Sequence, residues 1–185
     1  MATTKWTLDP THSELQFKVK HLMISTVTGQ FNQFASTVET EGNDFSKARI
    51  DFTAEVDSIS TNNAQRDAHL KNTDFFDAAN HPHIVFKSDK LENISEGEFK
   101  LWGMLTMRGV SKPVKLDVEF GGVTIDPWGN TRAGFTVNGK INRQDFGVSF
   151  GVVTETGSVL LGDEIKVLAS VQFVKQAVNE PVLAH

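Results

Sequence analysis

Between Arg66 and Asp89 the chain reads RDAHLKNTDFFDAANHPHIVFKSD, with three histidines and four aspartates in 24 residues. Imidazoles and carboxylates gather in this way to hold a metal or move protons, and also to close turns and cap helices. A zinc-binding helix of the HExxH kind needs ligands at i and i+4. Around His69 those positions are Gln65 and Thr73, so that form fails. His81 and His83 flank Pro82 and would share a strand face, a spacing that zinc sites use, with a third ligand from His12, His21, His69 or an aspartate. The same pair beside a proline is also an ordinary surface feature.

Two further groupings carry nucleophile chemistry on paper. GVSFG at 147–151 matches the G-x-S-x-G elbow, which works only when a strand precedes the serine and a helix follows it. The residues after it, VVTETGSVLLGDE, are β-branched and glycine-rich and have no helical stripe. Asp9, His12 and Ser13 in DPTHSELQF are the residue types of a triad, but triads are assembled through space and not by local adjacency. In this setting Asp9 and Ser13 fit hydrogen bonds to backbone groups in a turn between two strands. A metal-dependent or serine hydrolase built on the His/Asp cluster is therefore the alternative reading.

The elements that must position these residues are mostly strands. Apolar side chains alternate with polar ones in Leu15–Phe17–Val19, Ile50–Phe52–Ala54–Val56 and Phe99–Leu101–Gly103–Leu105–Met107. The same period of two marks Val114 to Phe120, Ala133 to Ile141 and Ile165 to Phe173. With the segments near residues 6, 34 and 84 this makes eight or nine strands in a single domain over 1–185. NISEGE at 93–98 and DPWGN at 126–130 read as hairpin turns, so neighbours run antiparallel. One apolar face per strand allows a sandwich or a closed barrel. Several strands run to ten or more residues, over ~30 Å at roughly 3.3 Å per residue, which favours the barrel. One segment departs from the strand period: a helical insertion at about 62–77, opened by Asn62 with Gln65 in a capping-box arrangement. A helical turn is also expected near 21–28.

Composition narrows the function classes. The 185 residues include 14 phenylalanines, no tyrosine and no cysteine, so thiolate sites and a cysteine nucleophile are excluded. A net charge of −5 without a Lys/Arg run argues against nucleic acid as partner. No run of 18 apolar residues and no signal-peptide pattern is visible, which gives a chain that does not span the membrane. The expected compartment is the cytoplasm, or the periplasm if a leader has been removed. If eight strands close, their inward faces carry Phe17, Val19, Phe52, Phe86, Leu101, Leu105, Val118, Phe120, Phe135, Ile141, Val167 and Val171. Ala54, Gly103, Ala133, Gly139 and Ala169 on the same faces would leave room. A filled core and a cavity for one small ligand fit this pattern equally.

Four stretches, in order and in compatible spacing, resemble the YceI-like family of lipid- or polyisoprenoid-binding proteins. They are WTLDPTHSELQFKVKHLMISTVTGQF at 6–31, RDAHLKNTDFFDAANHPHIVFKS at 66–88, GMLTMRGVSKPVKL at 103–116, and INRQDFGVSF at 141–150 followed by GDEIKVLASVQF. Asn72 and the DAANHP turn depart from the family pattern at the end of the helix. The resemblance implies an all-β, extended, eight-stranded antiparallel lipocalin-like barrel. Its interior would hold one long apolar chain, a polyisoprenoid, isoprenoid quinone or fatty acid or amide, with no catalysis and no required metal or cofactor. Transport, storage or sequestration would be the role, with transient membrane contact and room for a homodimer. Head-group preference would be set at the mouth, where His21, His69, Arg143 and Asp145 are the candidates. The 66–89 segment would then be a plug: Phe75 and Phe76 buried beneath it, Asp74 and Asp77 capping backbone amides, and Arg66 paired with one of them.

Overall fold

The computed structural model describes residues 3–150 and 161–177. Its strands are β1 (Thr3–Leu8), β2 (Glu14–His21), β3 (Ser25–Phe31), β4 (Phe34–Glu41), β5 (Asp44–Glu55) and β6 (Ile59–Ser60). They continue as β7 (His83–Ser95), β8 (Glu98–Met107), β9 (Val110–Ile125), β10 (Thr131–Asn142) and β11 (Glu164–Lys175). Three pairs are single long strands broken once. β1 and β2 both lie against β11, β3 and β4 follow them, and β5 and β6 follow those. Counted in this way, eight antiparallel strands meander in chain order, and β11 closes the ring on β1 and β2.

The breaks at residues 9–13, 32–33 and 56–58 are side by side and crease three neighbouring strands. The first has a local cause. Pro10 has no N–H to give to the ladder, and the Asp9 carboxylate accepts the Thr11 amide at 3.0 Å, which curls Pro10–His12 into a 3-10 turn.

Alternation places the sequence-predicted faces inward. Phe99, Leu101, Leu105 and Met107 are buried on β8, Val118 on β9, Ala133 on β10, and Val171 and Phe173 on β11. The expected turns also form, with Gly97 at φ +73 between β7 and β8 and Gly129 at φ +84 between β9 and β10.

Three local expectations are corrected. The 21–28 segment is a hairpin and not a helical turn: the Ile24 amide donates to the His21 carbonyl at 3.2 Å, and Ser25 pairs with His21. Its central residues, Leu22 at φ 51 and Met23 at φ 58, both adopt the left-handed conformation that Asn-Gly normally supplies. The helix α1 is shorter than expected, Ala64–Lys71, and its cap is Asn63, whose side chain accepts the Arg66 amide at 3.0 Å. Asn62 instead turns the chain at φ 62. The third concerns the small inward residues. A Cβ on Gly103 would meet the Phe86 ring and one on Gly139 would meet Leu116, so these glycines seat a neighbouring side chain and do not open the lumen. Gly29 seats the Phe17 ring in the same way.

Candidate functional site: an apolar lumen and its two ends

The barrel encloses a cavity of about 270 Å³. Along β5 its wall runs from Phe45 to Ala54, nine residue steps or about 30 Å of strand, and about 20 Å along the axis once strand tilt is allowed for. Such a volume drawn out over that length is a tube one chain wide. Eleven of the twelve sequence-predicted apolar residues are on its wall: Phe17, Val19, Phe52, Phe86, Leu101, Leu105, Val118, Phe135, Ile141, Val167 and Val171. Phe120 is not. It belongs to an aromatic plug at the far end, 5.5 Å from Phe45 and 5.2 Å from Phe135 between ring centroids. Trp6, fully buried, packs 5.1 Å from Phe45 and donates its indole N–H to Thr40 Oγ1 at 2.9 Å. Alternation says which face a residue occupies but not how far along the axis it is, which is why Phe120 was misplaced.

Among the described residues, three polar ones border the lumen, Gln16, Ser36 and Arg143, and the last two are already engaged. Ser36 Oγ donates to the Asp51 carbonyl at 2.7 Å. Arg143, 3% exposed, donates to the carbonyls of Gly162 (2.9 Å), Val148 (2.8 Å), Phe150 (2.7 Å) and Leu161 (3.3 Å). Its Nη2 also lies 3.6 Å from Asp163 Oδ1. Burial pushes the guanidinium pKa below its ordinary value, and the Asp163 charge opposes that. Arg143 therefore straps together the segments on either side of residues 151–160, with little hydrogen-bonding capacity left for a guest.

The near end is formed by α1 and the turn after it. Leu70, Phe75 and Phe76 face the cavity. The Phe75 ring packs 5.0 Å from His69 and 5.1 Å from Phe150, and Phe76 is edge-on to Phe31 at 6.3 Å. His69 is tied by Nε2 to Asp74 Oδ2 at 2.9 Å, with its ring against Phe75 and Phe150. His21 is half-buried at the rim, bridged to Leu161, which lines the cavity. Asp145 is exposed on a 3-10 turn and borders a shallow outer groove with Lys112 and Lys140, away from the lumen.

Polar residues of the 66–89 segment bond one another or the neighbouring Thr61 and Glu55. Arg66 donates to Thr61 Oγ1 and to the Thr61 carbonyl, each at 2.7 Å, and not to Asp74 or Asp77. Asp67 accepts the Thr61 amide at 2.8 Å and its hydroxyl at 2.6 Å. The Asp77 carboxylate takes the Asn80 amide group, and the Asp74 carboxylate takes His69, so among the described residues neither caps a backbone amide as expected. His83 is 3.0 Å from Glu55, and among the described residues no three His, Asp or Glu side chains converge as a metal site would require. Ser149 follows a 3-10 turn and not a strand, and the last residue of its motif, Gly151, lies outside the described ones. Asp9, His12 and Ser13 do sit together, but Asp9 is held by Thr11, His12 and Arg132, while Ser13 Oγ donates to the Asp9 carbonyl.

Arg108 escaped the sequence reading. From the β8–β9 turn it donates to the carbonyls of Thr73 (2.8 Å) and Gly147 (3.2 Å), fixing the near-end cap to the barrel. An arginine before glycine in a two-residue hairpin, with Arg108 at φ 52 and Gly109 at φ 73, breaks the Asn-Gly preference and was the available signal.

Known proteins resemble this chain in sequence and in fold. A UPF0312 protein of Staphylococcus aureus is 42% identical over 171 residues, covering 92% of this chain and 97% of that protein. The crystal structure of the Campylobacter jejuni YCEI protein superposes with a TM-score of 0.75 at 35% identity, over 85% of this chain and 90% of that one. A polyisoprenoid binding domain from Saccharophagus degradans shares the fold at 14% identity, with a TM-score of 0.66 over 92% of this chain and 98% of that domain. The YceI-like domain profile matches residues 6–173, and the chain belongs to the YceI-like domain family.

Proposed function

We propose that the protein binds one long apolar chain inside the barrel, a polyisoprenoid or fatty-acid-like molecule, and carries, stores or sequesters it without catalysis. The observation that supports this most is the lumen: a narrow tube with an apolar wall whose Ser36 and Arg143 are already bonded to the chain. Such a wall selects for CH2 groups and offers a head group little. The polyisoprenoid-binding domain of the same fold and the family membership point the same way.

The driving force is removal of hydrocarbon from water, about 0.8 kcal/mol per CH2. A dozen buried groups give roughly 10 kcal/mol gross, enough for tight binding after ordering costs without a strong polar contact. Chain length would be limited by the Phe45–Phe120–Phe135 plug, and the head group would remain near His21 and His69 at the rim. Native mass spectrometry of protein made in bacteria should show a bound lipid or, for an empty fraction, uptake of added geranylgeraniol. Ala169→Phe, which narrows the wall, should weaken that uptake at least ~10-fold with the far-UV spectrum unchanged. Wild-type protein that emerges empty and ignores geranylgeraniol would overturn the reading.

A further inference from the structure

We propose that the outer face of β9, β10, β11 and β2, together with the β2–β3 hairpin tip, docks the barrel on a lipid bilayer bearing anionic head groups, with the near end of the lumen turned toward the membrane. The docking face stands on its own observations, whereas its use in loading the lumen rests on the proposed function.

The first observation is a row of lysines. Lys140 on β10 is directly opposite Lys166 on β11, and Lys166 is directly opposite Lys18 on β2. The register Gly139–Leu116 carries the row on to Lys115 of β9, whose ammonium is 5.5 Å above the Trp102 ring. Lys20 stands next along β2. Like charges directly opposed across strands destabilise a sheet, yet this chain, with a net charge of −5, gathers five cations on one face. Four carboxylates share the face: Glu164, 3.7 Å from Lys140, Asp117, bound to Lys100 at 2.7 Å, and, four residues along their strands from Lys18 and Lys115, exposed Glu14 on β2 and Glu119 on β9. Exposed Asp145 and Asp163 border it. Among the described residues Lys18, Lys20, Lys115 and Lys166 have no ion-pair partner, which leaves them available to an external anion.

The second observation is the tip that this face runs into. Beyond Lys18 and Lys20 the chain turns through Leu22, Met23 and Ile24, of which Met23 is 61% and Ile24 83% exposed. Solvent would favour Asn-Gly in a turn with two positive φ values. Leu and Met there resist both the backbone and the water, as expected of side chains that insert among acyl chains. A sheet of opposed cations beside an apolar point is the charge and polarity profile of a bilayer interface read in reverse.

Position is the third. His21, at the base of the tip, bridges to Leu161 on the lumen wall, so the tip marks the same end of the barrel as α1 and Phe75. A barrel tilted onto this face brings that end to the hydrocarbon, where an insoluble chain could pass without crossing water.

Flotation with vesicles tests this in the full chain. Wild-type protein should float with phosphatidylcholine vesicles containing one-third phosphatidylglycerol, not with phosphatidylcholine alone, and should be released by about 0.5 M salt. The triple variant Lys18→Gln, Lys140→Gln, Lys166→Gln should lose ~100-fold in vesicle affinity. It should also bind geranylgeraniol as wild type does and melt no lower, because opposed charges have been removed. Met23→Asn with Ile24→Ser should likewise leave the vesicles while keeping the fold. Equal binding to both vesicle types, no binding, or variants that float like wild type would overturn the proposal. So would a dimer dissociated by the same substitutions in protein that ignores vesicles, which would assign the face to a second copy. Vesicle binding that tracks the lysines in protein that does not take geranylgeraniol would uphold the docking face and sink the lumen reading.

Discussion

Arg143 shows how a residue can be placed correctly and still be misread. Sequence reasoning named it, with His21, His69 and Asp145, as a candidate for head-group preference at the mouth. The structure does put it on the cavity wall, but its N–H groups donate to the carbonyls of residues 148, 150, 161 and 162. Arg143→Met, close in volume and without donors, would leave those buried carbonyls unpaired. It is expected to cost about 3 kcal/mol, measured by urea unfolding. Arg143→Lys should recover only part, since an ammonium cannot span four carbonyls with the geometry of a planar fork. The apolar wall was legible for the opposite reason: Phe17 or Leu101 has only one acceptable environment, while a guanidinium has several. Asp145 was unreadable in the same sense, because the 3-10 turn after Asn142 rotates it outward and period-two reasoning does not extend past the strand end.

At the scale of elements, alternation revealed the strands because each buries one face only, and the turn glycines marked where they reverse. The crease at residues 9–13 was not visible as such, although Asp9 and Ser13 were read as turn residues. What anchors the crease is distant in sequence. Arg132 on β10 donates to Asp9 Oδ2 at 2.7 Å and to Asp126 Oδ2 at 2.8 Å, tying the β1–β2 joint to the β9–β10 turn. The Thr11 hydroxyl, then Arg132 and His12, hold the Asp9 carboxyl well below the usual carboxylate range. Arg132 brings Asp126 down to about 2. Carboxylates with lowered folded-state pKa values stabilise the fold above the ordinary carboxylate pKa, and that contribution disappears as pH falls through the lowered values. Thermal melts should therefore change little from pH 7 to about 4 through this network and fall steeply below it. Arg132→Met, which lets both carboxyls titrate nearer their ordinary values, should move the acid transition up by about one pH unit. An unchanged transition in that variant would mean that the network does not anchor the crease.

For the whole molecule, chain order matters as much as shape. β11 follows every other barrel strand, and only its arrival between β10 and the β1–β2 strand makes a tube of what was an open trough. Which strands would meet at that seam was beyond the sequence reading, because period two describes each strand's faces and not its partners. Pairings so remote in the chain are slow to form, so the trough persists while synthesis proceeds. A greasy molecule nearby can then be enclosed sideways, along its full length, without threading through any opening. Freshly translated protein would carry its passenger from birth, whereas protein unfolded in guanidinium, stripped of lipid and refolded in clean buffer would close vacant. Mass measurement of the two preparations, followed by timed addition of geranylgeraniol, should show rapid capture when the lipid is present during refolding and slower capture once the fluorescence of Trp6, in protein with Trp102 and Trp128 replaced by Phe, reports a sealed wall.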